Sequence, residues 1–292
     1  MHVNFVSYAL FIGISMSITA FPVLARIVQE RGMFKTRLGV LVITCAAIDD
    51  ITAWCILAAV IAIVKAGSFT SALYTILLSV IYVLVMLKVV RPFLKTINEN
   101  YTAKTGLSKT IVAMFLLTLV ISSFTTELIG IHALFGAFVA GVIMPTNISF
   151  RSTFIAKVED LAIVLLLPLF FVYTGLRTQI GLLNDGTLWI YCGIFIAVAI
   201  IGKFAGSAVA AKFTGQSWKN SLIIGALMNT RGLMELVALN IGYDIGILSP
   251  QVFTMLVLMA LVTTFMTGPL LSVINRFFKE KEELEVAVIS SN

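Results

Sequence analysis

Long apolar stretches separated by short polar segments are the dominant pattern of this chain. Bounded by charged residues, glycine and proline, the apolar runs reach about 20 residues, enough to cross a bilayer as helices. The period-two alternation typical of outer-membrane barrel strands is missing. The runs predict nine transmembrane helices, at residues 4–28, 38–64, 70–97, 108–127, 131–145, 161–177, 187–211, 219–243 and 250–275.

Composition supports an all-α polytopic membrane protein. The 292 residues are 60% hydrophobic and 12% charged, and the mean hydropathy is +1.06. Soluble domains have roughly half apolar and about a quarter charged residues. The net charge of +6 is explained by the basic loops of membrane proteins, so we expect no nucleic-acid partner and contact with membrane lipid instead.

The basic residues fall mainly into alternate loops, and this distribution orients the helices. One set of loops, together with the C-terminal end, holds most of them: Arg31, Lys35, Arg37, Lys88, Arg91, Lys95, Lys104, Lys109, Arg151, Lys157, Lys212, Lys219, Arg276, Lys279 and Lys281. The other set holds only Lys65 and Arg177. By the positive-inside rule the C-terminus is cytoplasmic and the visible N-terminus is outside. We expect a transmembrane domain over residues 1–276 and a short cytoplasmic tail over 277–292.

Polar groups of four predicted helices lie at similar depth. Asp49 and Asp50 are near the midpoint of the second helix, and Lys203 is close to the midpoint of the seventh. The stretch SMSITAFP interrupts the first helix, and MNTRG interrupts the eighth. Intramembrane charges are costly and mark ion pathways.

The two interruptions predict broken helices. Pro22 removes a backbone hydrogen bond and Gly232 weakens the helix around it. Opened backbone is tolerated at that depth only within protein or beside water. Transporters with inverted repeats place two such helices around a midplane site. The alternative is that Pro22 and Gly232 only kink packed helices.

The order of helices also bears on length. If the first two predicted helices match the eighth and ninth as repeats, the counterparts of the fourth to seventh are absent upstream. We therefore expect about four further helices before this chain in its parent protein.

These stretches resemble a known family. SITAFPVLARIVQERGM, AAIDDITAW, LPLFFVYTGL, IIGKFAGS and the region beginning MNTRGLMELVALNIG are similar to the monovalent cation:proton antiporters, in the plant cation/H⁺ exchanger and bacterial NapA-like branches. The resemblance implies an inverted-repeat antiporter fold with two crossing broken helices, of whose thirteen helices about nine are present here. It also implies a homodimer.

The resemblance assigns roles to three charged residues. Asp50 matches the aspartate that binds the ion and the proton. Asp49 matches its neighbour, which in electrogenic members pairs with a lysine at the position of Lys203. Many plant exchangers have Asn-Asp where this chain has Asp-Asp, so the pattern is the bacterial one and we expect a bacterial inner membrane.

The Asp pair suggests a mechanism of exchange. Desolvation and a like charge both favour a neutralised carboxylate, so Asp50 can hold either a proton or a monovalent cation. Competition between the two, together with alternating access, gives antiport. The hydroxyls of Ser17 and Thr19 are candidate oxygen ligands for a transported alkali metal ion. Lys203 either releases a proton when the cation displaces it from Asp49, or forms a static ion pair.

The second break contains four further candidate residues. Arg231 and Glu235 are four residues apart and share a helix face. They either neutralise each other or shape the cytoplasmic entrance. Asn229 and Thr230 are candidates for groups near the ion site.

Three transporter classes compete for this pattern. A channel needs a continuous polar stripe along a helix, whereas the polar groups here share one depth. A sodium-coupled organic solute symporter of similar broken-helix fold remains the alternative to an antiporter. The sequence shows no triad of nucleophile, histidine and acid, and no metal-ligand spacing or phosphate loop, so we expect neither an enzyme nor a cofactor.

Overall fold

A computed structural model describes residues 5–66, 69–97, 109–145 and 148–290, and every regular element within them is helical. The α-helices include α1 Phe5–Ser17, α2 Phe21–Glu30, α3 Arg37–Ala66, α4 Phe69–Val85, α5 Lys109–Ile129, α6 Ala133–Val142, α7 Ile148–Leu161, α8 Leu167–Arg177, α9 Gly186–Ile200, α10 Gly206–Phe213, α11 Trp218–Met228, α12 Leu233–Asp244 and α13 Pro250–Ser290. Residues 91–97 are also α-helical. Lys104 and the predicted helix ends at residues 4 and 108 lie outside the described residues.

Within the described residues, six helices are long and apolar enough to span a membrane, which confirms the prediction of an all-α polytopic membrane protein. They cover Phe5–Glu30, Arg37–Val64, Leu73–Ile97, Thr110–Ile129, Gly186–Phe213 and Pro250–Phe278. The pair α11 and α12, bent by 42°, would make a seventh.

The predicted fifth and sixth helices have different bounds in the structure. The fifth, expected over 131–145, is only the ten residues of α6, because His132 caps its start and Pro145 follows its end. The sixth, expected over 161–177, begins at Ile148 as α7 and reaches Arg177 through α8. The prediction of nine complete spans is therefore not reproduced within the described ranges.

Three helices contain a five-residue π-helical segment, in which the backbone hydrogen bonds skip one residue more than in an α-helix. These segments are Met86–Val90 after α4, Ala162–Leu166 between α7 and α8, and Ile201–Ala205 between α9 and α10. Such bulges occur frequently at functional sites. The third contains Lys203.

The chain divides into two compact units. The first comprises Met1–Cys55 and Leu176–Asn292, and the second comprises Ile56–Gly175. The core of the first unit is apolar and joins α2, α3, α11 and α13. It includes the fully buried side chains Leu24, Val28, Val42, Ala46, Ala226 and Leu227.

In the second unit, α5 and α6 pack closely through small and hydroxylated residues. Gly136 approaches the α5 backbone so closely that a Cβ there would lie 2.6 Å from the carbonyl carbon of Ser122. The Ser122 hydroxyl donates to the Gly136 carbonyl oxygen at 2.6 Å and also contacts the Tyr82 hydroxyl. Close backbone approach with hydroxyl hydrogen bonds is typical of membrane helix packing.

Candidate functional site

The first break lies where the sequence predicted it. α1 ends at Ser17, residues 18–20 are not helical, and α2 begins at Phe21. Pro22 occupies the first turn of α2. No intrahelical partner exists for an N–H at that position, so proline starts the second half-helix without losing a hydrogen bond.

The second break separates α11 from α12 at residues 229–232. Gly232 has φ 171°, an extended conformation open to any residue. Space is what excludes a side chain at Gly232, since a Cβ would lie 2.9 Å from Val23 Cγ2 and 3.0 Å from Ala20 Cβ. The absence of a side chain at Gly232 therefore lets the second break approach the N-terminal end of α2.

The two breaks are joined directly by three hydrogen bonds. The Ala20 N–H donates to the Thr230 carbonyl oxygen at 3.0 Å. The Thr19 hydroxyl donates to the Met228 carbonyl oxygen at 3.1 Å. The Arg231 guanidinium donates from Nη1 to the Ile18 carbonyl oxygen at 2.7 Å. Each break thus satisfies backbone groups that the other leaves without a helical partner.

Asp49 and Lys203 stand at the first break with opposite charges. Asp49 Oδ2 accepts from the Thr19 N–H at 2.9 Å and lies 2.9 Å from Lys203 Nζ. Lys203 also donates to the carbonyl oxygen of Ser17, the last residue of α1. A cation is favoured at a helix C-terminus and an anion near a helix N-terminus, so the two side chains match the local dipoles of the half-helices.

Asp50 has no such partner. Its Oδ1 is buried and accepts no hydrogen bond from any residue in the described part of the chain. The neighbouring carboxylate, Asp49, takes both the lysine and the Thr19 amide. The two adjacent aspartates therefore differ: Asp49 is neutralised by protein groups and Asp50 keeps an oxygen available.

The predicted hydroxyl ligands are both already engaged as donors. Ser17 Oγ donates to the Ile14 carbonyl oxygen at 2.8 Å, within its own helix. The Thr19 hydroxyl, fully buried, bridges to the second break as described. Lys203 contacts the carbonyl oxygen of Ser17 and not its hydroxyl.

Arg231 and Glu235 form a fully buried pair. Their side chains are 0% exposed, and Arg231 Nε lies 3.7 Å from Glu235 Oε2. This distance is an ion pair but too long for a hydrogen bond. Both Glu235 oxygens and the Arg231 Nε and Nη2 atoms have no hydrogen-bond partner among the described residues.

The remaining residues of the second break have mainly local partners. Thr230 Oγ1 donates to the Leu227 carbonyl oxygen at 2.8 Å. Asn229 Nδ2 lies 3.8 Å from Met266 Sδ, and its buried Oδ1 has no partner in the described ranges. Within the described ranges, neither side chain hydrogen-bonds to Asp49 or Asp50, so their predicted place near the Asp pair gains no support from a direct bond.

Thr264 on α13 is a site residue that the sequence did not reveal. Its hydroxyl accepts from the Arg231 N–H at 2.8 Å and donates to the Arg231 carbonyl oxygen at 2.8 Å. It thereby replaces the helical partners that the break removes from Arg231. The only signal in the sequence is a threonine within an apolar helix, which is too common to single out.

Comparison with known proteins places this arrangement in a family. Residues 2–277 match the family described as sodium/hydrogen exchanger, transmembrane. The chain belongs to this family. The predicted resemblance to monovalent cation:proton antiporters is thereby confirmed.

Three relatives are similar over nearly all of this chain. The Na(+)/H(+) antiporter NhaS4 of Synechocystis is 44% identical over 91% of this chain and 65% of its own length. Cation/H(+) antiporter 17 of Arabidopsis thaliana is 40% identical over 90% of this chain and 32% of its own length. The K(+)/H(+) antiporter 1 of Saccharomyces cerevisiae is 35% identical over 92% of this chain and 31% of its own length.

The names of these relatives describe transporters rather than enzymes, as the sequence predicted. The chain spans about two thirds of the length of the cyanobacterial relative and about a third of the plant and yeast relatives.

Proposed function

We propose that this protein exchanges a monovalent cation for protons by alternating access, with Asp50 as the group that holds either one. The main support for the proposal is that Asp49 and Asp50 have different hydrogen-bond partners. Asp49 is occupied by Lys203 and the Thr19 amide, whereas Asp50 Oδ1 is buried without a partner. Asp50 is half-buried, and ionising a carboxylate whose inner oxygen has no donor is costly, so a proton or a cation on Asp50 is favoured.

The charges around the breaks support a ligand of a single positive charge. Three carboxylates, Asp49, Asp50 and Glu235, share this region with two cationic side chains, Lys203 and Arg231. When all five are ionised, one net negative charge remains. Either one proton or one monovalent cation neutralises it, so the two compete, and the uncompensated charge resists movement through a low-dielectric barrier.

Oxygen atoms at the first break suit an alkali cation. Besides Asp50, the first break offers the Ser17 carbonyl oxygen, which contacts Lys203, and the oxygens of Thr19, whose backbone N–H contacts Asp49. Hard cations prefer oxygen ligands of this kind. We infer that Asp50 is the main ligand of the transported cation and that Asp49, Ser17 and Thr19 complete its surroundings. Lys203 compensates the charge of Asp49.

The relatives favour antiport over the alternative of a sodium-coupled organic solute symporter, since all three are named as antiporters. Their names include both Na⁺ and K⁺, so either cation is a candidate substrate here. By extension from the basic loops and the family resemblance, we further propose a homodimer in a bacterial inner membrane with a cytoplasmic C-terminus.

Exchange in proteoliposomes tests the proposal. With an imposed pH gradient, Na⁺, Li⁺ and K⁺ are added in turn to vesicles containing the full-length protein. We expect at least one of the three to dissipate the gradient and Asp50→Asn to abolish the response. The matched control is Asp185→Asn, because Asp185 is an exposed helix cap that keeps its acceptor oxygen as asparagine. Loss of exchange in both variants, or in neither, would contradict the proposal.

A further inference from the structure

Glu235 is a buried acid that the Asp50 site does not use. Its side chain is 0% exposed, and neither carboxylate oxygen accepts a hydrogen bond from the described residues. The nearest positive atom that faces it is Arg231 Nε at 3.7 Å. An ionised carboxylate in that setting lacks the two to three donors that normally stabilise a buried anion.

Arg231, which pairs with Glu235, also forms hydrogen bonds with other groups. Arg231 donates from Nη1 to the Ile18 carbonyl oxygen at 2.7 Å, and Thr264 holds its backbone at both the N–H and the carbonyl. The guanidinium thus binds the first break through Nη1 while its Nε faces Glu235. Arg231 is therefore shared between Glu235 and the break beside the Asp pair.

Among the described residues, the positive charges that act electrostatically on Glu235 are Arg231 on its own helix and Lys203 on the segment after α9. The same Lys203 pairs with Asp49. Charge at Glu235 and charge at the Asp pair are thus linked through two shared cations. When Glu235 is neutral, the five groups sum to zero without any ligand on Asp50. When Glu235 is ionised, neutrality requires a ligand on Asp50.

We propose that Glu235 is a second proton-binding carboxyl, which releases its proton to water as the cation binds at Asp50. The inference rests on the proposed exchange function and gives the proton that the cation displaces a second carboxyl to occupy. In this step the O–H bond of the Glu235 carboxyl breaks and its proton forms an O–H bond with a water molecule. Arg231 couples the two sites, because its attraction to Glu235 rises on ionisation while its bond to Ile18 holds the first break.

The test counts protons directly. Calorimetric titration of the purified full-length protein with NaCl or KCl, repeated in buffers of different ionisation enthalpy, gives the number of protons released per cation bound. We expect Glu235→Gln, which keeps the shape and removes the titratable group, to bind the cation but release fewer protons at the same pH. Glu235→Asp should restore the release toward that of the parent, because the carboxyl is present again.

The outcomes separate the inference from the proposed function. If Asp50→Asn leaves cation binding intact, the proposed function fails. If Asp50→Asn abolishes binding while Glu235→Gln releases as many protons as the parent, only the inference is overturned. Should Glu235→Gln not fold, the pH midpoint of proton release in Glu235→Asp decides. A shifted midpoint supports the inference, since the shorter side chain lies further from Arg231, and an unchanged midpoint overturns it.

Discussion

Lys203 Nζ lies 2.9 Å from Asp49 Oδ2, so the lysine of the seventh predicted helix pairs with the first aspartate of the Asp-Asp sequence. The same ammonium reaches the Ser17 carbonyl at the end of α1. Asp50, the next residue, keeps a buried oxygen that accepts no hydrogen bond from the described residues. The two adjacent carboxylates therefore differ: Lys203 balances the charge of Asp49, and we propose that the transported cation or a proton balances the charge of Asp50.

Replacing Lys203 by glutamine tests whether its charge takes part in transport. If Lys203 releases a proton as the cation displaces it from Asp49, Lys203→Gln should lower the charge moved per cation. Electrical recordings on proteoliposomes adsorbed to a solid support measure this charge.

Lys212→Gln is the matched control for Lys203→Gln. Lys212 follows on α10, where it contacts the Gln216 carbonyl oxygen and the Trp218 ring rather than an acid. Unchanged charge movement in Lys203→Gln would show that the pair with Asp49 is static. Comparing Lys203→Gln with Glu235→Gln identifies whether Lys203 or Glu235 releases a proton when the cation binds.

A methyl group at Gly232 should separate the two breaks. The added Cβ of Gly232→Ala would meet Val23 and Ala20 at 2.9 and 3.0 Å, tighter than ordinary contacts. Overpacking of this kind costs about 1–3 kcal/mol. We expect a lower melting temperature in detergent and slower exchange.

Gly13→Ala is the control for this substitution. Gly13 lies on α1, and a Cβ there would meet nothing within 4 Å. Because alanine favours helix over glycine by about 1 kcal/mol, Gly13→Ala should melt at the same temperature as the parent or above it. Equal melting temperatures for the Gly232→Ala variant and the parent would contradict the close approach of the breaks.

Removing the guanidinium of Arg231 should destabilise the protein strongly. In the cation-bound protein, in which we propose that Glu235 is ionised, Arg231→Gln leaves Glu235 buried without its positive partner and removes the bond to the Ile18 carbonyl. We expect a loss of about 3–5 kcal/mol by analogy with other broken buried pairs. Thermal unfolding of the purified variant measures it. Adding Glu235→Gln to this variant should recover part of the loss, because the uncompensated charge disappears.

Arg26→Gln provides the comparison for Arg231→Gln. Arg26 pairs with Glu30 at 2.7 Å with the same spacing of four residues, but its side chain is 72% exposed. Exposed pairs of this kind contribute about 0–1 kcal/mol. A similar loss of stability in both variants would mean that burial does not set the strength of the Arg231 pair.

Local chemistry made part of this site predictable. Pro22 and Gly232 marked the two breaks because each opposes a regular helix, and Asp49, Asp50 and Lys203 stood out because charges are rare in apolar helices. Arg231 and Glu235 followed from their spacing of four residues. Such signals depend only on residue type and on neighbours in the chain.

Contacts between distant backbone groups were not predictable in the same way. The hydrogen bonds from Ala20 to Thr230 and from Arg231 to Ile18 are accepted by backbone carbonyl oxygens. Because every residue has a carbonyl oxygen, the residue type of the acceptor does not indicate these bonds in the sequence. The role of the Ser17 carbonyl was missed for the same reason. The π-helical segment around Lys203 was not predicted either, because helix propensities do not distinguish a π-helical turn from an α-helical one.

The most direct test of the central claim is the affinity of the purified protein for its cation as a function of pH. If proton and cation compete for Asp50, the apparent affinity falls as the pH is lowered, by about tenfold per pH unit for each proton that the cation must displace. Asp50→Asn should abolish this binding. An affinity that stays constant across the pH range in which exchange is active would contradict competition at a single carboxylate.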